Sequence, residues 1–345
     1  MCVHPDDIAA TITVQHHRLD AIIEIVTVAS SAAMASTNHL PIILDCDPGH
    51  DDAIAMVVAA RHTNLLGITT VAGNAPLDST THNAIVVRDL LGIDVAVHAG
   101  AYRPLIAPPR HAGYVHGESG LDGADLPLPS GPPASRDAIG FIIDTVRNHD
   151  GVWLVPTGPM TNIALALRSA PDIAARIAGI SFMGGGLFGN RTATAEFNIW
   201  ADPEAAAIVL TYGGPLVMAG LDLTHQLQAT PGRIDQIRAV PGRLTATLAD
   251  LMQFFSAAYI GRHDNMRGAP VHDPCAVMAL THPQLFTRSF SHVAVEIFGE
   301  FTRGMTVIDQ RTLIERPEPN CDRLTGVDAD AAWAVVTEAI AHFSS

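Results

Sequence analysis

Pro41-Ile-Ile-Leu-Asp-Cys-Asp-Pro-Gly-His-Asp-Asp52 is the stretch that decides how this chain folds. Ile42–Leu44 reads as a buried strand, and Ala53–Ala60 as the apolar helix that follows it. Between them lie four aspartates within eight residues: Asp45, Asp47, Asp51 and Asp52. The acids therefore sit at a strand's carboxyl end, where open α/β sheets place their ligands. Carboxylates this close repel one another, and a fold keeps them together only if a cation or protons neutralise them. Aspartate offers hard oxygen donors, so the cation should be Ca²⁺ or Mg²⁺. Asp51 and Asp52 also suit a helix start, where the macrodipole and free N–H groups favour negative charge. Capping accounts for one or two acids, not four.

The same strand–helix alternation continues outward. Further strands are expected at Leu66–Val71, Val95–His98, Val152–Pro156, Gly179–Met183 and Leu216–Ala219. Helices are expected at Ser79–Leu91, Arg136–Asn148, Asn162–Ser169, Pro203–Thr211, Thr245–Ile260 and Asp328–Phe343. Ser291–Phe298 and Gly304–Gln310 read as a late antiparallel hairpin. The fold class is α/β, with an open, mostly parallel, Rossmann-like central sheet flanked by helices. Pro/Gly-rich stretches at Arg103–Gly113 and Leu126–Pro133 read as long surface loops, a common place for function. Asp47, Asn74, Thr157, Gly184–Gly186 and Asp222 each fall just past an expected strand end, so all converge on one rim.

Composition narrows the chemistry. Of the 345 residues, 48% are hydrophobic and 16% charged, ample material for a large core. The net charge of −15 argues against a nucleic-acid partner, which needs a basic surface. All 20 cationic residues are arginine, so Walker A, Schiff-base and ordinary pyridoxal phosphate chemistry, each built on lysine, are excluded. Cys2, Cys46, Cys275 and Cys321 form no Cys-x-x-Cys motif and read as reduced thiols in a cytoplasmic protein.

Residues 1–40 stand apart. Ala21–Ala35 is apolar except for Glu24, but Asp6, Asp7 and Asp20 against Arg18 give no basic start for a secretory signal. The run is also too short to span a bilayer. The expectation is an N-terminal extension over 1–40, outside the core, with Met34 as an alternative start, and one catalytic domain over 41–345.

Two more distant elements add polar groups. Val271-His272-Asp273-Pro274 reads equally as a functional acid and as an N-cap followed by Pro at the first helical position. Glu196-Phe197-Asn198, taken as alternating, puts Glu196 and Asn198 on one face, a pairing that suits a hydroxyl-rich ligand. An edge strand followed by a capping Asp202 explains the same residues.

These blocks together resemble the nucleoside hydrolases, the inosine–uridine-preferring N-ribohydrolase family. The resemblance rests on Asp45–Asp52, Val71-Ala-Gly-Asn74, His116-Gly-Glu-Ser-Gly120, Pro156-Thr-Gly-Pro-Met-Thr-Asn162, Met183-Gly-Gly-Gly186, Glu196-Phe-Asn198 with Asp202-Pro-Glu204, Gly220-Leu-Asp-Leu-Thr-His225 and His272-Asp-Pro274. It runs from about Pro41 to the C-terminus. It implies Ca²⁺-dependent hydrolysis of ribonucleosides to ribose and free base, by a soluble homo-oligomer, dimer or tetramer. Asp47, Asp52, the Thr157 carbonyl and Asp273 would hold Ca²⁺, with water and the ribose 2′- and 3′-hydroxyls completing its shell. Asp51 and Asn74 would bind the ribose diol, and Asn190, Glu196 and Asn198 its other hydroxyls. Asp47 would be the general base on the metal-bound water, His272 the acid for the leaving base, and Asp45 a supporting residue. Tyr114, His116, Trp200, Tyr259 and His263 are candidates for the base pocket, which leaves purine and pyrimidine both open. Two alternatives stand beside this: a non-catalytic ribose- or nucleoside-binding protein of the same fold, and a haloacid-dehalogenase-like phosphatase. The second matches Asp45-x-Asp47 but ordinarily needs a lysine that this chain lacks.

Overall fold

The structure, a computed structural model, describes residues 39–260 and 266–344. The N-terminal extension expected over 1–40 therefore lies outside the described residues except for His39 and Leu40, and His263 lies outside them too. Residues 40–345 cluster as one compact unit.

The central sheet has nine strands: β1 (Pro41–Cys46), β2 (Asn64–Thr70), β3 (Val97–Ala99), β4 (Trp153–Pro156), β5 (Gly179–Met183), β6 (Leu216–Ala219), β9 (Phe286–Val295), β10 (Thr306–Asp309) and β11 (Cys321–Val327). Their order is β10-β9-β11-β6-β5-β4-β1-β2-β3. Pairing is parallel from β3 across to β11, and antiparallel from β11 to β9 and β9 to β10. A separate antiparallel pair joins β7 (Gln228–Ala229) to β8 (Ala269–Pro270).

β1 shows why the sheet has two cores. Ile42, Leu44 and Cys46 belong to one buried cluster and Ile43 to the other, as the two-residue period of a strand requires. The chain runs β1-β2-β3 one way from β1, then returns to β4 on its other side. Strand order thus reverses between β1 and β4, the switch point at which a doubly wound sheet opens a crevice. The first acids follow β1, and Thr157 follows β4, so both ends meet there.

The helix His50–His62 is apolar on every side, and His50 through Ala59 are all buried. A helix of this composition has to be wrapped by protein. It packs against the helices Leu77–Leu91, Arg243–Tyr259, Pro274–Thr281 and Ala329–His342, which brings Asp273, at the start of the third of these, toward the acids of the first loop.

Three elements depart from the expectation. β11 lies between β6 and β9, although Cys321-Asp-Arg-Leu-Thr-Gly-Val does not read as a buried strand. Its charges are paired: Asp322 with Arg288 at 2.7 Å and Arg323 with Asp222 at 2.8 Å. The helix Pro231–Arg238 buries only Ile234 and Ile237, too weak a stripe to register as periodicity. Glu196-Phe197-Asn198 is not a strand: Phe197–Ala201 is a short helix with Glu196 at its N-cap. Asp202 does cap the next helix, Pro203–Leu210, by accepting from the Ala205 N–H at 3.1 Å.

Candidate active site

The turn after β1 is built by its glycine. Gly49 caps the helix His50–His62, and its N–H donates to Asp52 Oδ2 at 2.9 Å. A Cβ there would collide with the His116 ring and the Asn74 amide. Asp47, Asp51, Asp52 and Asp273 are all buried, none more than 4% exposed. Carboxylate oxygens of Asp51, Asp52 and Asp273 lie within 4.8 Å of one another, a group able to hold a metal ion. That tight trio contains Asp51 where the resemblance placed Asp47.

Asp47 sits just beneath. Its Oδ2 accepts from the Asn74 N–H at 2.7 Å, while the sealed Oδ1 has no partner among the described residues. Cβ atoms at Gly73 or Gly158 would collide with this carboxylate, so both glycines make room for it. Thr157 contributes twice: its hydroxyl donates to Asp52 Oδ1 at 2.8 Å, and its carbonyl accepts from the Asn198 amide at 2.7 Å. Asp45 lies behind, with Oδ1 accepting from the Thr69 hydroxyl at 2.6 Å and the Asn162 amide at 2.7 Å.

The electrostatics follow from this crowding. Burial and then repulsion from Asp52 push Asp47 well above the usual carboxylate range, and raise Asp51 to about 8. Burial, followed by Asp51 and Asp52, does the same to Asp273. Burial lifts Asp52 as well, and takes Asp45 to about 7. Five acids that resist ionisation in one place call for a cation.

A narrow cleft opens above the acids, lined by Asp51, Asn74, His116, Thr157, Asn190, Glu196, Asn198, Tyr259, His272 and Asp273, with Tyr114 and Phe255. Glu196 accepts from the N–H groups of Asn198 at 2.8 Å, Ile199 at 3.1 Å and Gly185 at 2.9 Å. Burial nonetheless raises it to about 6. Asn190 Oδ1 accepts from the Phe197 N–H at 3.0 Å, which ties the preceding loop to this helix. His272 Nδ1 lies 2.7 Å from the Thr224 hydroxyl, and the His272 backbone N–H donates to Asp51 Oδ2 at 3.2 Å. Burial, then the neighbouring His225, holds the His272 ring well below the usual imidazole range.

The structure thus gathers Asp47, Asp51, Asp52, Asn74, Thr157, Asn190, Glu196, Asn198, His116, Tyr259, His272 and Asp273 into one site. Trp200 is not with them. Its ring lies outside the cleft lining, under the guanidinium groups of Arg110 at 3.9 Å and Arg191 at 4.3 Å. Asp222 stays just past the carboxyl end of β6, beside the Gly184–Gly186 loop, but does not line the cleft: it pairs with Arg323 and accepts from the Leu187 N–H at 3.3 Å. Sequence reasoning missed Phe255 and His50. His50 stands inside the opening motif, and its ring stacks on that of His116, with centroids 5.2 Å apart. Cys46, Cys275 and Cys321 are free thiols.

A doubly wound sheet with a metal-capable acid cluster at its switch point, under a polar cleft, defines an α/β enzyme for a hydroxyl-rich small molecule. The chain belongs to the inosine-uridine preferring nucleoside hydrolases, whose family model matches residues 42–334, and is accordingly a hydrolase of N-glycosyl bonds in ribonucleosides. It is 43% identical over 310 residues to the pyrimidine-specific ribonucleoside hydrolase RihA of Enterobacter sp. (strain 638), covering 88% of this chain and 99% of the relative. It is 43% identical over 309 residues to the RihA of Shewanella sp. (strain MR-4), covering 88% and 97%. Among solved structures, the purine-preferring ribonucleoside hydrolase from Gardnerella vaginalis superposes with a TM-score of 0.82 at 33% identity, over 88% of this chain and 98% of that one. No helix among the described residues is long and apolar enough to cross a membrane.

Proposed function

We propose that the chain hydrolyses pyrimidine ribonucleosides to ribose and free base, with Ca²⁺ as its metal and residues 41–345 as the catalytic domain. The observation that carries this reading is the convergence of Asp47, Asp51, Asp52 and Asp273, all buried, beneath a cleft lined by Asn74, Asn190, Glu196 and Asn198. Pyrimidine selectivity draws on the relatives named pyrimidine-specific at 43% identity.

The donor set fits Ca²⁺: all candidate ligands are hard oxygens, and the ion takes about six to eight of them. Asp47, Asp52, Asp273 and the Thr157 carbonyl would hold it. When bound, the ion supplies the charge that lets these acids ionise together, and Lewis acidity toward water and the ribose diol. Asp47, its Oδ2 held by the Asn74 N–H, takes the proton of the attacking water. Asp51 and Asn74 hold the 2′- and 3′-hydroxyls, and Glu196, Asn198 and Asn190 the 5′ end. Breaking the bond builds positive charge on the ribose, which the carboxylate floor stabilises. The neutral His272 ring donates a hydrogen bond to the departing base and stabilises the negative charge that builds there.

A panel of uridine, cytidine, inosine and adenosine with Ca²⁺ tests the reading through ribose release as reducing sugar. Release is expected from the first two. Equal release from the purines overturns the selectivity, and none from any overturns the activity.

The acid cluster also predicts a pH signature. With Asp45 raised to about 7 and Asp51 to about 8, the metal-free folded state holds protons that the unfolded state releases near pH 4. That contribution is fully present below about pH 4 and is lost as pH rises through about 7–8. The melting temperature in EGTA should therefore fall between about pH 5 and 9. Ca²⁺ at 100 times its Kd should add about 2.7 kcal/mol and flatten the slope. A melting temperature insensitive to both pH and Ca²⁺ would remove the metal from this site.

A further inference from the structure

The turn between β9 and β10 holds two aromatic rings out in water: Phe298 is 91% exposed and Phe301 83%. Single exposed apolar side chains are ordinary, but two large rings three residues apart make a patch of the kind that marks a contact surface. Glu300 stands exposed between them.

The turn is held in shape. The Glu296 carboxylate accepts from the Phe298 and Gly299 N–H groups at 2.7 and 3.0 Å. Arg303 ties the turn to the helix Pro203–Leu210, pairing with Glu204 at 2.7 Å and donating to the Ile297 carbonyl. The Thr194 hydroxyl donates to the Phe301 carbonyl at 3.1 Å. Rings carried on a backbone already set cost little further ordering when they are buried.

Beside the turn, a groove of about 540 Å³ lies between the helices Thr161–Ser169 and Pro203–Leu210. Ile106, Leu167, Ala174, Ile208 and Tyr212 give it apolar walls, and Ile297, the neighbour of Phe298, also lines it. The two phenylalanines of the same chain do not enter it. Glu204 lines the groove but is neutralised by Arg303, which leaves Arg168 as its uncompensated charge. No hydrogen bond or ion pair engages the side chains of Arg168 or Glu300 among the described residues.

A knob that is apolar, acidic and apolar in turn therefore lies next to an apolar groove with an unpaired cation. The two match in character and in charge, and they adjoin on one chain through Ile297. A copy rotated about a two-fold axis presents its knob to this groove and its groove to this knob, so a single contact occupies both and closes on itself. A foreign partner bringing only a knob or only a groove would leave the other half bare.

We infer that two copies of this chain associate about a two-fold axis, with Phe298 and Phe301 of each seated in the groove of the other and Glu300 of one against Arg168 of the other. The inference does not depend on the nucleoside reading above.

Sedimentation velocity over a concentration series tests it. Phe298→Ser/Phe301→Ser alters exposed side chains alone, and an unchanged far-UV circular dichroism spectrum checks the fold. Wild type is expected to sediment as a dimer or a larger even assembly. The double variant should have half that mass, its dissociation constant raised about 100-fold or more by the loss of two aromatic anchors. Arg168→Glu and Glu300→Arg should each weaken association about ten-fold, and the two together should restore it, because the exchanged charges meet again. A wild type with the mass of one chain leaves the turn and the groove to another partner and overturns the proposal. So does an assembly that the phenylalanine variant leaves intact, or a double charge exchange that restores nothing, since each puts the contact on another face or in another register.

Discussion

Asp47→Asn is expected to lower kcat for uridine by about 10²–10⁴-fold, the range of a lost general base, and Asp47→Ala to abolish turnover. The asparagine variant keeps the shape that Gly73 and Gly158 accommodate, so its loss cannot be ascribed to a cavity. It replaces the free oxygen, Oδ1, or the oxygen held by Asn74, with an amide that accepts no proton. The stability should move the other way. Asp47 is buried among like charges that push its carboxyl well above the usual range, so a neutral isostere relieves repulsion in the metal-free protein. Metal-free Asp47→Asn should melt no lower than metal-free wild type at about pH 8, where the repulsion is greatest. Near-normal turnover in either variant removes Asp47 as base. A lost activity accompanied by a large drop in melting temperature assigns it to structure instead.

The opening run carried so much of this because its signals are local. The buried apolar run of β1, the acids after it and the apolar helix behind them are all readable within twenty residues. Asn74, Thr157 and Asp273 were legible as residues that end an apolar run or begin a helix. What brings them together, the strand order around β1, follows from the alternation of elements. Where charges are compensated by distant partners, the sequence misleads. Arg323 and Asp322 make β11 look exposed until Asp222 and Arg288 are placed beside them. Glu196-Phe197-Asn198 alternates like a strand, but three backbone N–H groups converging on Glu196 make a helix start of it. Trp200 looked like a stacking platform because aromatic type alone does not say which ring faces the cleft. His50 was hidden for a related reason: the partners of its ring, His116 and Asp122, lie 66 and 72 residues away.

His272→Ala should slow uridine by about 10²–10⁴-fold yet leave p-nitrophenyl riboside nearly untouched. The two substrates share the ribose and differ in the leaving group. A pyrimidine anion departs poorly unless it is protonated, whereas p-nitrophenolate needs no acid. The structure keeps His272 neutral, since burial and His225 hold its ring well below the usual imidazole range. A neutral ring still serves as a donor if its proton is on the correct nitrogen. The Thr224 hydroxyl at 2.7 Å from Nδ1 can donate to that atom and leave the N–H on Nε2. Thr224→Val should then reproduce the pattern in milder form, about ten-fold on uridine and little on the activated substrate, because the ring keeps its place but loses its tautomer bias. Equal slowing of both substrates in His272→Ala would mean that the ring acts on the ribose or on Asp51, whose Oδ2 accepts from the His272 N–H, and not on the leaving group. The backbone N–H survives truncation to alanine, so the hydrogen bond to Asp51 is retained and the comparison isolates the ring.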